Sequence, residues 1–293
     1  MPDTDAFSPN DAARRAVFIT ATELAALQAG PTPPVVLVVW AAETESATPR
    51  AERARIPGAI DTDLATEFAS AGGGLSGSRP LPDLAGLQVD ARRWGINANS
   101  TVIVYDIDGG LQAGRAWWTL RWAGVHRVLL LDGGLQAWQA AGLAVTDRVT
   151  DTPAGDVELT GGHMPQLTAD DAIALARNGV LIDTRIAPNY AGGPSAPGEP
   201  ARGHIPGAVS IPAAANLDAT QAFLTPAELA ALYDRAGVEV GKPVGIYCGA
   251  GVSAAHAVAV LASFGIIAPM YVGSWSAYSA DPTRPVATGA LPG

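Results

Sequence analysis

Three blocks of the sequence occur twice, in the same order and at nearly the same spacing. "RARIPGAIDTDL" (53–64) is echoed by "RGHIPGAVSIPA" (202–213). "STVIVYDIDGGLQAGRAWW" (100–118) is echoed by "KPVGIYCGAGVSAAHAVAV" (242–260), and "LLLDGGLQAW" (129–138) by "PMYVGSWSAY" (269–278). Tyr105 thereby aligns with Tyr247, and Asp106 with Cys248. The repeating unit is about half of the 293 residues. That is too long for a solenoid repeat, so the chain divides into two similar globular domains.

Each half alternates short apolar runs with helical stretches. The first offers "PVVLVVW", "TVIVYD" and "RVLLLDG"; the second offers "GVLIDTR", "PVGIY" and "IAPMYV". Continuous apolar strands separated by helices predict an α/β fold, a mainly parallel sheet in each domain with helices on both faces. "TPAELAALYDRAG" carries a full set of helix signals: Thr225 as N-cap, Pro226 at the first position, Glu228 at the third and Gly237 past the end. The polar, Pro- and Gly-containing stretch near 144–166 reads as a linker. The expected division is a first domain over 14–145, a linker over 146–165 and a second domain over 166–290.

The chain is 48% hydrophobic and 16% charged, so a sizeable core is expected. Its formal net charge of −10 argues against nonspecific nucleic-acid binding and against docking on anionic membranes. With one cysteine there is no internal disulfide, which fits a reducing compartment, and a cytoplasmic location is expected. "MPDTDAFSPNDAARR" has neither a basic nor an apolar segment of the kind that forms a secretory signal. The longest apolar runs are far shorter than a membrane span.

The one cysteine sits in "CGAGVSA" (248–254), on the turn between a strand and a helix. In open α/β sheets, sites form beyond the carboxyl ends of the strands. Small residues there let the main chain curl, so that the N–H groups of Gly249, Ala250, Gly251, Val252 and Ser253 point inward as an anion-binding nest before a helix N-terminus. Such a nest stabilises a thiolate, and a thiol titrating below the free value of roughly 8.5 is expected. The alternative is a buried structural cysteine. A phosphatase loop of the Cys-x5-Arg type is excluded, because Ala254 stands where the phosphate-clamping arginine is needed. Cys248 with His126, His163, His204 and His256 shows no metal-ligand spacing, so neither metal nor cofactor is expected.

"CGAGVSA" resembles the Cys-Gly-Ser-Gly-Val-Thr-Ala loop of 3-mercaptopyruvate sulfurtransferases, within the rhodanese superfamily. "GHIPGAV", "DGG", "GRAWWTLRW" and "YVGSWSAY" resemble recurring blocks of the same family, over about residues 18–288. The resemblance implies two tandem rhodanese-like domains, the first catalytically inert. It implies that Cys248 takes sulfur from a small anionic donor (3-mercaptopyruvate or thiosulfate) as a persulfide. A thiol or thioredoxin-type acceptor, or cyanide, then removes it.

The chain departs from the family pattern at several positions. Ala250 replaces a serine of the family's proposed Ser-His-Asp relay, Arg55 stands at its histidine position, and Leu37 or Val38 at its aspartate. The family places an arginine four residues after the Arg of its Asp-x-Arg motif. Here the motif gives Arg185 and the later position is Asn189. Arg202, in the loop that follows, and Arg55 are the expected compensating contacts to the donor's anionic group. Trp117, Trp118 and Trp122, at helical spacing, read as core or interface. His204 and His256 read as structural, and Ser253 as the helix cap. A persulfide carrier or regulatory binding module with little turnover of small donors is the alternative function.

Overall fold

The computed structural model describes residues 10–41, 49–194, 201–239 and 241–293. The first ten-residue stretch of the signal-peptide argument, apart from its last residue, and the middle of the loop before Arg202 lie outside the described residues. The first sheet has five parallel strands: β1 (Phe18–Ile19), β2 (Val35–Trp40), β3 (Ile60–Asp63), β4 (Val102–Tyr105) and β5 (Val128–Leu131), in the order β1-β5-β4-β2-β3. The second has β6 (Val180–Asp183), β7 (Val209–Ser210) and β8 (Val244–Tyr247), in the order β7-β6-β8 and also parallel. Parallel bridges from Met270 to Ile246 and to Gln166 continue this sheet at the edge beyond β8. They stand where β5 and β1 stand in the first sheet, so the duplicated sequence folds into a duplicated topology.

The strands are apolar on both faces because both faces are covered. Leu37, Val39, Val102 and Val104 point into one core, and Val36, Val38, Ile103 and Tyr105 into another. In the second sheet Val180, Ile182, Val244 and Ile246 join the first of these cores, while Leu181 and Tyr247 face a third. One central core is therefore shared by both sheets, with an outer core behind each.

The repeated "IPGA" segments form the same turn twice. Ala59 N–H donates to Ile56 O, and Ala208 N–H to Ile205 O, both at 3.0 Å. Each turn is tied to its sheet in the same way: Ile56 N–H donates to the Tyr105 hydroxyl at 2.9 Å, and Ile205 N–H to that of Tyr247 at 3.1 Å. The helix Pro226–Arg235 forms as its signals predict, with Thr225 and Glu228 closing a capping box.

The stretch read as a polar linker is packed along the first domain. Val157, Leu159 and Met164 are buried in the central core. Val157 N–H donates to Ile96 O, Thr160 N–H to Ala123 O and His163 N–H to Trp122 O, each at 3.1 Å. Its average composition hides three well-spaced apolar side chains, and those are what bind it. Trp117 and Trp118 are fully buried and Trp122 is half-buried, in core positions. Among the described residues no helix is long and apolar enough to cross a membrane.

Candidate active site

Cys248 follows β8 directly and is 2% exposed. Its Sγ accepts the Gly251 N–H at 3.0 Å. Of the nest expected over 249–253, this is the N–H bond that reaches sulfur. Gly251 has φ of +74°, and a Cβ there would stand 2.7 Å from Arg115 Nη1 and 2.8 Å from Val272 O. Only glycine permits both the conformation and the approach. The following helix, Ser253–Ala262, starts from Val252 with no side-chain cap. Ser253 is thus not the cap; its hydroxyl lies 3.0 Å from that of Thr184.

Ser274 comes from the "GSW" turn. Its hydroxyl accepts the Cys248 N–H at 3.2 Å, lies 3.9 Å from Sγ and donates to Tyr271 O at 2.8 Å. It adopts φ of +51°, where the first domain has Gly134 at +52°. A non-glycine residue in that region costs on the order of 1 kcal/mol and is found where a side chain is needed. The signal was present in the sequence: aligning the repeats sets Ser274 against a glycine.

Cys248, Gly249, Ala250, Val252 and Ser253 line a cavity of about 430 Å³ between the domains, with Thr184, Arg185, Ile186 and Asn189 from the second domain. The first domain contributes Arg79, Leu111 and Gln112. Arg185 is held by Asp183: its Nε lies 3.0 Å from both carboxylate oxygens, and its Nη2 donates at 2.6 Å to Asp183 Oδ2 and to Gly203 O. Its guanidinium also stacks over Trp275 at 4.5 Å. Arg185 thus pairs with Asp183 and also lines the cavity. Arg202 lines an adjoining cavity of about 670 Å³, with Arg185, Asn189, Gly249 and Trp275.

Arg55 is elsewhere, and the expectation that it replaces a donor contact is corrected. It is fully buried in the first domain, donating to Asp147 O at 2.9 Å and Arg50 O at 2.8 Å, with Nε 3.3 Å from Asp61. It occupies the same place in its domain as His204 in the other. Both residues pair through their main chains with a distant segment, Arg55 with Thr146 and His204 with Ala287. His204 is buried and stacked on Tyr190 at 3.8 Å, which is a structural role.

Two cations that sequence reasoning did not single out stand closer to the thiol. Arg79 is in the cavity wall. Arg115, fully buried, reaches across from the helix Leu111–Trp122 and donates to Gly251 O at 3.2 Å. It also donates to Phe68 O and Pro80 O at 3.3 Å and to Arg79 O at 3.2 Å. Burial pushes its pKa down to about 10, and the Cys248 sulfur pulls it back up. It therefore remains charged at neutral pH.

In the first domain Asp106 takes the place of Cys248. One carboxylate oxygen accepts N–H bonds from Asp108 (2.9 Å) and Gly110 (2.8 Å), the other from Ala113 (2.9 Å). The same turn leaves both strands, closed by three N–H bonds to a carboxyl group in one copy and by one N–H bond to a thiol in the other.

A cradled thiol at a strand end, between two α/β repeats, is the arrangement of rhodanese domains. The rhodanese-like domain model matches residues 42–141 and 168–281, and the chain belongs to that family. It is 39% identical over 284 residues to a putative thiosulfate sulfurtransferase of Mycobacterium tuberculosis H37Rv, covering 94% of this chain and 99% of that one. It is also 39% identical, with the same coverage, to a probable 3-mercaptopyruvate sulfurtransferase of Pseudomonas aeruginosa. The crystal structure of the 3-mercaptopyruvate sulfurtransferase SseA from Escherichia coli superposes with a TM-score of 0.74 at 28% identity, covering 88% of this chain and 98% of that one.

Proposed function

We propose that this chain is a sulfurtransferase that moves a sulfane sulfur from a small anionic donor, through a persulfide on Cys248, to a thiophilic acceptor. The observation that carries the reading is the lone thiol beyond β8, its Sγ accepting the Gly251 N–H at the floor of a cavity walled by two arginines. With thiosulfate, the Cys248 thiolate attacks the outer sulfur, the S–S bond breaks, and sulfite leaves with the bonding pair. The negative charge then rests on the outer persulfide sulfur, facing the main chain of Gly249–Ser253. An acceptor such as cyanide, a small thiol or a thioredoxin-type dithiol takes that sulfur and restores the thiolate.

Thiosulfate is favoured over 3-mercaptopyruvate. Loss of sulfur from 3-mercaptopyruvate leaves an enolate that must be protonated, and Ala250 and Arg55 supply no proton relay to it. Sulfite needs no proton. In this reading residues 166–290 carry the chemistry, 14–145 form the other wall without a nucleophile, and 146–165 join them. A nucleophile that must stay reduced fits the cytoplasm.

Cyanolysis run side by side with thiosulfate and 3-mercaptopyruvate tests the reading. Thiosulfate should give the higher kcat/KM. Cys248→Ser should abolish transfer in a protein that still melts cooperatively, and intact mass should show one added sulfur atom on the wild type only. An adduct on the serine variant would falsify the nucleophile. A wild type that gains the sulfur but turns over neither donor would instead be a persulfide carrier.

A further inference from the structure

We propose that the acceptor of the sulfur is a small uncharged thiol whose apolar body packs on Leu111, Ile186 and Val252 of the cavity wall. This rests on the reading of Cys248 as a carrier of persulfide sulfur, and it names the class of molecule that removes that sulfur. Cys248 is 2% exposed, so whatever reaches it must enter the cavity. At about 430 Å³ the cavity has the volume of about fourteen waters, at roughly 30 Å³ each. Thiosulfate, a few atoms across, fills a fraction of it. Leu111, Ile186, Ala213, Ala214, Ala250 and Val252 make most of the wall apolar. Ile186 is 59% exposed, and Leu111 and Val252 are half-buried, so each keeps apolar surface that a ligand covers on binding. A small inorganic anion gains nothing from such surface, whereas an organic body does.

Leu111 opens the helix Leu111–Trp122 of the first domain. Ile186 and Val252 stand before the helices Ala187–Ala191 and Ser253–Ala262 of the second. The apolar wall is therefore assembled across the domain boundary. The loaded site carries negative charge on the outer persulfide sulfur. A carboxylate-bearing thiol brings a second negative charge beside it, and the Arg185 charge is already matched by Asp183. An uncharged thiol avoids that repulsion. Its proton passes to the outer persulfide sulfur, and the R–S⁻ so formed attacks that sulfur. The S–S bond then breaks with its electron pair left on Cys248. The product is R–S–SH, and no further oxidant or reductant is needed.

The test follows loss of the added sulfur atom, by intact mass, from the full chain loaded with thiosulfate and freed of excess donor. Ethanethiol, propanethiol and butanethiol differ only in apolar length, and 3-mercaptopropionate puts a carboxylate at the end of a chain of similar size. The second-order rate should rise about two- to fourfold per methylene. The rate with 3-mercaptopropionate should be about tenfold below that with butanethiol. Ile186→Asn removes apolar surface at an exposed position, and asparagine is favoured at the helix cap that Ile186 occupies, so the variant should fold. It should lower the ratio of butanethiol to ethanethiol rates about threefold, and Ile186→Val should keep most of that ratio. A rate indifferent to chain length, a ratio unchanged by Ile186→Asn, or a faster 3-mercaptopropionate overturns the proposal and leaves the sulfur-transfer reading standing. If thiosulfate loads no sulfur, N-ethylmaleimide and N-butylmaleimide replace the thiols, with free N-acetylcysteine as reference. A butyl-to-ethyl ratio several-fold above the reference, and lost in Ile186→Asn, supports the apolar site while the sulfur-transfer reading falls. A ratio equal to the reference then overturns both.

Discussion

Arg115 holds its guanidinium among four main-chain carbonyls, and among the described residues it has no carboxylate partner. A buried cation left without an anion is costly, and here the Cys248 sulfur is the group placed to offset it. Arg115→Met strands those carbonyls, including the one in the Cys248 loop, so it should lower Tm by several degrees and slow alkylation of Cys248 by neutral iodoacetamide several-fold. Arg115→Lys should recover part of both. An unchanged rate at an unchanged Tm would mean that Arg115 does not hold the loop. Cys248 was legible from its neighbours in sequence. Arg115 was not, because in "GRAWW" it reads as one more helical residue, and the carbonyls it serves are up to 136 positions away.

The unit that recurs between elements is the turn leaving the carboxyl end of a strand. After β4 it closes around the Asp106 carboxylate; after β8 it closes around the Cys248 thiol. Alignment of the repeats was enough to pair these two residues. It did not reveal that the Asp106 carboxyl group is structural, with three N–H partners. Asp106→Ala strands those buried donors, each worth about 1–3 kcal/mol when unsatisfied. With the loss at the low end of that sum, about 3 kcal/mol, Tm should drop by about 5 °C for a chain of this size. Turnover per folded molecule should stay within a few-fold of wild type. Loss of activity at an unchanged Tm would mean that Asp106 belongs to the site. The start of the helix Ser253–Ala262 was misread for a related reason. A serine before an apolar stretch is the usual cap signal, but Thr184, about 70 positions earlier in sequence, is the partner its hydroxyl found.

At the scale of the molecule, the two domains meet through the helices Leu111–Trp122 and Ser253–Ala262. Gly114 makes the close approach: a Cβ there would lie 2.8 Å from His256 Cα. His256 is sealed in this contact, with Nδ1 donating to Gly110 O at 3.3 Å, its ring stacked on Phe223, and Nε2 unpartnered among the described residues. Burial lowers its pKa from 6.5 to about 4. The unfolded chain therefore binds a proton near pH 6.5 that the folded one refuses until about pH 4. The His256 contribution is complete above that window, declines as pH falls through it, and levels off below, with a loss on the order of 3 kcal/mol. Urea unfolding at several pH values checks this, and the component should be missing in His256→Gln. An identical pH profile for the two proteins would place His256 in contact with water.

The sequence by itself determined the duplicated α/β plan, the parallel sheets, the place of the thiol and the asymmetry between Cys248 and Asp106. Each of these is written in periodicity, in turn residues, or in a residue aligned with its own repeat, all of which act over a few neighbouring positions. Only the tertiary structure decided which charges surround the thiol. Arg55, expected at the donor, is spent on carbonyls and an aspartate of its own domain, while Arg79 and Arg115 arrive from the same domain by other routes. The reason is geometric. A guanidinium on a long side chain takes whichever buried acceptors the packed sheets bring within about 3 Å, and those acceptors are set by contacts between segments far apart in the chain.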